Sequence, residues 1–489
     1  MRSSSERETS QSSSATRRHR SKTRVERWAE TRWGGPATAL VAILAGAAAV
    51  RAVGIQYGLP FDNLLNPDEH NVVLRAWRMV HGSGADPRFY DYPTLLMYVE
   101  APFQSWQSEP SLLTARIIVL VLALLSIAAT WWLARRSFGG AAAGAVAAAI
   151  VAVCTVHVAY SREAVTDVPL MLGIAVALAL MVTGRIELAG LAAGLATGFK
   201  YPGVLLVVPL AVAAWRQWRR LALALVLMAA AFAASSPFVL ANPGQAWDDI
   251  SRVQRLAHDG WLGFEHDHAT PIAFVDRLWE GLGPVLVVAA AGLVVALVRR
   301  SRTDLTLASF VLVYFVDLLT IRAHFDRYTL PLIPPLAVFA SRFRALIPVT
   351  FLLLVVPLTW SIRDTKELTR TDTRVFAAHW VERHIAPGTK IAADPSTPAF
   401  AGLNVLPLQL PGPGRAFDPN RDIRRLRRQG IDVVVVTGAI ADRVRAARDR
   451  YPREAAFYDG LRARTRRIYY VAKGDDRAGP WVAIYRLAK

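Results

Sequence analysis

Five short stretches of the chain hold the residues best suited to chemistry. The first, Asn66-Pro67-Asp68-Glu69-His70, precedes an amphipathic stretch from Val72 to Val80. Adjacent carboxylates there can act as a general base on an acceptor hydroxyl, or they can cap the following helix, where acids are favoured. Taken alone, the pair fits a cap better. The second stretch, Phe89-Tyr90-Asp91-Tyr92-Pro93-Thr94-Leu95-Leu96, leads aromatics into an apolar segment, either as an interfacial belt or as a binding surface. The third, Ser161-Arg162-Glu163-Ala164-Val165-Thr166-Asp167-Val168-Pro169, is a very short turn; Arg162 and Asp167 either form a local ion pair or line a pocket.

The fourth is Lys200, the only lysine between Lys22 and Lys366. A charge at membrane depth costs about 2.5–3.5 kcal/mol and marks a functional position by default. It would bind a lipid phosphate or pair with an acid such as Asp317. The fifth runs from Ile321 to Tyr328, where Arg327-Tyr328 suits phosphate binding. Beside these, the segment 241–282 carries His258, Trp261, Glu265, His266, Asp267 and His268. His266 and His268 have the chemistry to ligate a divalent metal, although three adjacent residues rarely converge on one ion.

The elements that must position these residues are apolar. Of 489 residues 53% are hydrophobic and 19% charged, where a soluble domain carries about a quarter charged. The excess falls in runs long enough to cross a hydrocarbon core about 30 Å thick. We read full spans at about 36–53, 112–134, 140–160, 167–184, 221–240, 283–299, 305–321, 326–341 and 345–361. The stretch 188–215 is too long for one span, and Pro202-Gly203 breaks it after Lys200. It reads as a hairpin of two short helices, since broken backbone at membrane depth is tolerated against protein or a polar cavity.

Net charge is +19, almost all from arginine. The arginines sit at the ends of apolar runs (Arg135-Arg136, Arg216 to Arg220, Arg299 to Arg302), where they set orientation; this placement argues against nucleic acid as the partner. With the N-terminus inside, every strongly basic connection falls inside. The loops of the opposite side are acidic, and between Gly54 and Pro110 seven Asp/Glu face three Arg. The expected organisation is a disordered cytoplasmic tail (1–33), a transmembrane domain (34–361) and a small extracytoplasmic α/β domain (362–489). In the last, helix and strand patterns alternate. The single cysteine, Cys154, allows no internal disulfide.

Carboxylates, cations and aromatics thus meet on the outer membrane surface, as transfer from a polyprenyl-phosphate sugar requires. In these pieces and their order the chain resembles the GT-C glycosyltransferases, specifically the bacterial branch akin to protein O-mannosyltransferases and lipid A aminoarabinose transferases. The matching motifs are Pro67-Asp68-Glu69, Tyr92-Pro93, Arg162 with Thr166-Asp167-Val168-Pro169-Leu170, Gly194 to Lys200, and Arg327-Tyr328 with Pro331 and Pro334. The resemblance implies a polytopic α-helical protein of the cell membrane with about nine full spans, a broken hairpin and an outer soluble domain. It implies an inverting transferase in which Asp68, neighboured by Glu69, deprotonates the acceptor. Lys200 and Arg327, with Tyr328, would hold the donor's phosphate, while Arg162, Asp167 and Tyr92 would shape its pocket. The partners implied are a polyprenyl-phosphate-linked sugar, membrane lipids and an envelope glycan, lipid or protein acceptor. The soluble domain is shorter than the family's, which leaves the acceptor class open. A transporter or lipid flippase, which can also use a broken helix with an intramembrane charge, and a catalytically silent envelope scaffold are the competing readings.

Overall fold

The computed structural model describes residues 36–61 and 64–487; the expected disordered tail lies outside them. Every apolar run is helical. Pro36–Ala52, Leu112–Phe138, Asp167–Val182, Trp218–Ser235, Val285–Arg299 and Arg302–Leu318 are helices. The run 140–160 breaks at Cys154 into Ala141–Val153 and Thr155–Tyr160, and 326–341 is a 3₁₀ turn, Asp326–Leu332, followed by helix Ile333–Ala340. Among the described residues three helical segments are long and apolar enough to cross a membrane by themselves: Leu112–Phe138, Trp218–Ser235 and Arg344–Glu367. A fourth crossing exists if Thr270–Leu282 and Val285–Arg299, bent by 116°, are one span. Several others are shorter apolar helices, because at 1.5 Å per residue a helix interrupted by a kink or a 3₁₀ turn covers only part of the core thickness.

The segment around Lys200 folds back on itself. Helix Ile186–Phe199 ends at Lys200, whose backbone is extended, and a 3₁₀ turn, Tyr201–Leu206, leads into helix Val207–Ala213. A Cβ at Gly203 would collide with the backbone of Ala196 and Thr197, so the turn packs on the helix it has just left. The far ends are tied together. Arg220 grips Glu187 at 2.6 and 2.7 Å and donates to Gly184 O at 3.0 Å. Gly190, Gly194 and Gly198 are spaced by four; the first two let this helix approach the backbone of helix Trp218–Ser235 and the third makes room for the Ser235 side chain, the close packing that small residues permit between apolar helices.

One ion pair and three hydrogen bonds to backbone carbonyls tie the basic connections together. Arg302 donates to Ala213 O, Arg342 pairs with Asp304 and donates to Gly292 O, and Arg344 donates to Gly139 O. Lys200, at the hairpin tip, faces the other way. On that side lie helix Pro67–Arg78, helix Leu95–Gln104 and a sheet domain.

Helix Val355–Glu367 continues beyond the expected boundary at 361 and delivers the chain to that domain. Its strands are β1 (Thr371–Asp372), β2 (Lys390–Ala393), β3 (Asn404–Pro407), β4 (Val433–Thr437), β5 (Arg466–Val471), β6 (Arg477–Ala478) and β7 (Val482–Arg486). Five of them form a sheet in the order β3-β2-β4-β7-β5, with β3, β2 and β4 parallel and β7 antiparallel to both neighbours. Every residue of β4 is buried, as expected for a strand covered on both faces. Helix Thr373–His384 covers one face, and Leu426, Val444 and Leu461 from three further helices cover the other, joined by Leu262 from the segment 241–282. Tyr57 OH donates to Asp372 at 2.7 Å and Arg374 donates to Leu64 O, which fastens this domain to the loop after the first helix.

Candidate active site

Helix Pro67–Arg78 begins with Asn66 as its cap. The Asn66 side chain accepts from the Asp68 amide at 3.0 Å and donates to Glu163 at 2.6 Å, so one residue both starts the helix and ties it to the turn 161–165. Successive helix residues point about 100° apart, and Asp68 and Glu69 therefore diverge. Glu69 turns into the core, fully buried, where Arg116 holds it through two bonds of 2.7 Å and the Ala164 amide donates at 2.9 Å. Arg116 in turn donates to Ile55 O and Tyr57 O.

Asp68 faces a different set of partners. Its Oδ2 accepts from Tyr92 OH at 3.1 Å and lies 2.9 Å from Arg327 Nη1. Burial and the Asp68 charge together push the Tyr92 hydroxyl well above its ordinary range, so Tyr92 stays a donor to Asp68. The loop that presents Tyr92 is fastened on both sides. Asp249 accepts from the Tyr90 amide at 2.9 Å, Asn242 donates to Tyr90 OH at 2.7 Å, Tyr201 OH donates to Tyr90 O at 2.8 Å and Ser236 Oγ accepts from the Thr94 amide at 3.0 Å.

A second ion pair stands beside the first. Asp167, the first residue of helix Asp167–Val182, meets Lys200 Nζ at 2.6 Å. The ammonium lies 5.0 Å from the centroid of the Tyr328 ring, and the Arg327 guanidinium is 5.8 Å from the same centroid. Asp167 is within electrostatic range of both Arg327 and Tyr92. Asp68, Tyr92, Asp167, Lys200, Arg327 and Tyr328 thus form one cluster, with two carboxylates, two cations and two phenols. It is neutral as a set, and its cations are shared rather than saturated: Arg327 Nε has no acceptor among the described residues. The hydroxyls of Thr94, two residues from Tyr92, and of Thr166, next to Asp167, are also buried without partners there.

Arg162 stands apart from that cluster. Its guanidinium donates to Val50 O at 3.0 Å and to the Thr365 hydroxyl, and the local pair with Asp167 that the sequence permits is not formed, because Lys200 occupies the carboxylate. Asp317 is likewise not the partner of Lys200. His266 and His268 diverge as well. His266 meets Asp449 at 3.3 Å, His268 meets Asp276 at 3.0 Å, and Asp267 between them meets His324 at 3.1 Å. Among the described residues no three His, Cys, Asp or Glu side chains converge as metal ligands do.

Glu163 and Asp326 are the acids not singled out from the sequence. Asp326 accepts from Tyr160 OH at 2.8 Å and from the Arg327 backbone amide at 2.9 Å. It also borders a cavity of about 410 Å³ whose walls include Trp279, Trp360, Arg363 and Asp364. Burial raises the Glu163 carboxyl to about 8, against the hydrogen bond from Asn66. The available signal was position, an acid one residue from Arg162 in an apolar setting.

Residues 89–321 match the model of glycosyltransferase family 87, and that segment holds Tyr92, Asp167 and Lys200. The crystal structure of ArnT from Cupriavidus metallidurans bound to undecaprenyl phosphate is similar, with a TM-score of 0.56 at 16% identity, over 91% of this chain and 97% of that one. This is the GT-C glycosyltransferase fold. The archaeal oligosaccharyltransferase AglB from Archaeoglobus fulgidus, in complex with an inhibitory peptide and a dolichol-phosphate, shares the GT-C fold with a TM-score of 0.57 at 12% identity, over 94% of this chain and 75% of that one. The apo form of the Archaeoglobus fulgidus oligosaccharyltransferase gives 0.55 at 12% identity, over 88% and 73%. No curated protein matches the chain significantly by sequence.

Proposed function

We propose that the chain transfers a sugar from a polyprenyl-phosphate donor to a hydroxyl of an extracytoplasmic acceptor, with inversion at the anomeric carbon. The observation that carries this reading is the paired arrangement Asp68–Arg327 and Asp167–Lys200 around Tyr328. In the step, Asp68 takes the proton of the acceptor hydroxyl while the acceptor oxygen bonds to the anomeric carbon. The bond from that carbon to the phosphate oxygen breaks, and its electron pair leaves with the polyprenyl phosphate. The phosphate gains a negative charge as it departs, and Lys200 and Arg327 are the cations placed to stabilise it. Tyr92 orients Asp68. Glu69 acts through the helix, holding Asp68 in place by its bond to Arg116. ArnT and AglB support a polyprenyl phosphate as the donor's carrier, since they bind undecaprenyl phosphate and a dolichol-phosphate. The acidic loops and the basic connections gathered at the opposite end support the cell membrane, with the site on its outer face.

The test is transfer from a radiolabelled polyprenyl-phosphate sugar to envelope acceptors by the purified chain. Wild type forms labelled product, and Asp68→Asn forms it at least about a hundredfold more slowly. Labelled product at wild-type rate from Asp68→Asn removes the base assignment, and transbilayer movement of the lipid without any transfer favours the flippase.

A further inference from the structure

A cleft of about 820 Å³ opens in the sheet domain between helices Ile423–Arg428 and Pro452–Arg464. Its walls carry Arg424, Arg425, Arg428, Arg448, Arg453 and Arg464, all exposed. Two acids share the cleft. Asp459 is taken up by Arg448 at 2.6 Å and Arg445 at 3.4 Å, and Asp422 caps its helix by accepting from the Arg425 amide at 2.7 Å. Among the described residues no acid lies within ion-pair distance of Arg424, Arg425, Arg428, Arg453 or Arg464. At the floor, buried Arg421 is balanced by Asp394 at 3.3 Å and donates to Tyr458 OH at 2.6 Å and Gln409 O at 2.8 Å, so the cleft's free charge comes from its exposed arginines; the Arg421 Nε has no acceptor among the described residues. Like charges held together in a concave site repel one another and concentrate the field on an incoming anion. Guanidinium forks match phosphate and carboxylate oxygens in pairs.

Aromatic rings accompany the cations, and the pattern continues beyond the cleft. Arg453 stacks on Phe417 at 3.7 Å. A few residues earlier in the same loop, Arg415 lies over Trp261 at 4.5 Å; Trp261 touches Phe325 at 6.0 Å between centroids, and Arg327 lies over Phe325 at 4.9 Å. The loop that carries Phe417 at the cleft thus also carries Arg415, from which Trp261 and Phe325 lead to Arg327 of the Asp68 cluster. Rings present flat apolar faces to the C–H faces of sugars, while the cations meet charged substituents. A membrane-lying face would need large apolar side chains among its cations, yet Tyr470, on β5, is the exposed large apolar residue of this domain among the described residues. It does not line the cleft.

We propose that this cleft binds the anionic portion of a glycan acceptor, a sugar chain bearing carboxylate or phosphate groups, and leads its hydroxyl end toward Asp68. The inference deepens the transferase reading and rests on it for the direction of the chain. The acceptor class left open by the sequence is then an acidic glycan.

The test uses the full chain in phosphatidylcholine nanodiscs, with a fluorescent oligogalacturonate as probe and a malto-oligosaccharide of equal length as the uncharged control. The charge-reversed triple variant Arg424→Glu/Arg428→Glu/Arg453→Glu raises Kd for oligogalacturonate at least tenfold. Arg427→Glu, on the same helix but outside the cleft, changes it by less than about twofold, and the malto-oligosaccharide binds no variant. Equal loss in Arg427→Glu overturns the proposal, as does absence of binding at about 150 mM salt, where bulk attraction is screened. Shielding of the cleft arginines from phenylglyoxal by phosphatidylglycerol nanodiscs without glycan assigns the cleft to lipid and overturns it too. Thermal unfolding at the wild-type midpoint shows that the triple variant is folded. Asp68→Asn retains probe binding, so a chain that binds through the cleft but never transfers sinks the transferase reading alone. Transfer to neutral acceptors without cleft-dependent binding sinks the cleft alone.

Discussion

Arg327 Nη1 lies 2.9 Å from Asp68 Oδ2, so the proposed base and a proposed phosphate-holding cation are each other's partner. A donor phosphate must compete with Asp68 for this guanidinium, and success frees the carboxylate to take a proton. Asp68→Asn should therefore lower transfer by about 10²- to 10⁴-fold, the range of a general base, while donor affinity holds or tightens because Arg327 is no longer shared. Single-turnover transfer and equilibrium binding of the labelled donor read the two effects separately. Loss of donor binding in Asp68→Asn would contradict this division of labour.

Lys200 and Asp167 divide differently, because their pair is more deeply buried. Lys200→Met leaves a nearly buried carboxylate without its cation, a change that costs about 3–5 kcal/mol for a buried pair. Adding Asp167→Asn should return most of the lost Tm, since the orphaned charge is then gone. Donor affinity should not return, because the cation remains absent. Recovery of affinity together with Tm would make Lys200 a structural residue.

Glu69 offers the contrasting case to its neighbour. Its carboxylate and Arg116 are both fully buried and joined by two bonds, so Glu69→Gln should lower the unfolding midpoint strongly, again on the scale of about 3–5 kcal/mol. Transfer per folded molecule should fall less than tenfold. A loss as deep as that of Asp68→Asn, at unchanged Tm, would move Glu69 into the chemistry.

The cluster was legible in the sequence residue by residue, but its pairings were not. Lys200 stands out as a lone lysine in an arginine-using chain, and Asp68 as an acid just after a span. Their partners depend on three-dimensional closure. Asp167 meets Lys200 because the hairpin tip reaches the start of another helix, 33 residues away in sequence, whereas nearest-neighbour reasoning offered Arg162 as one of two alternatives. The divergence of Asp68 and Glu69 follows from helix geometry once Asn66 is recognised as the cap. The apolar runs were readable from length and composition. Their kinks at Cys154 and their 3₁₀ turns were not, since packing rather than propensity sets them. In the sheet domain β4 was visible as a run of valines, while β3, inside a Pro- and Gly-rich segment, emerges through pairing with β2.

Glu163 provides a test through pH. Its turn lies between two apolar runs, and burial raises its carboxyl from the ordinary 4.5 to about 8, with the Glu69 charge adding to the effect and Asn66 and Arg327 opposing it. The folded chain then holds a proton between about pH 4.5 and 8 that the unfolded chain releases. Stability follows the difference in bound protons, so this group's contribution is present below about 4.5 and is lost as pH rises toward 8. Glu163→Gln keeps an oxygen to accept from Asn66 and removes the ionisation. Thermal unfolding of both proteins in detergent from pH 5 to about 9 should show a steeper decline for wild type, with the variant the more stable at the alkaline end. The difference between the two curves isolates Glu163 from the histidines and other acids. Parallel curves would mean that the Glu163 carboxyl is ionised throughout, and that the turn is open to water rather than sealed beside Arg327.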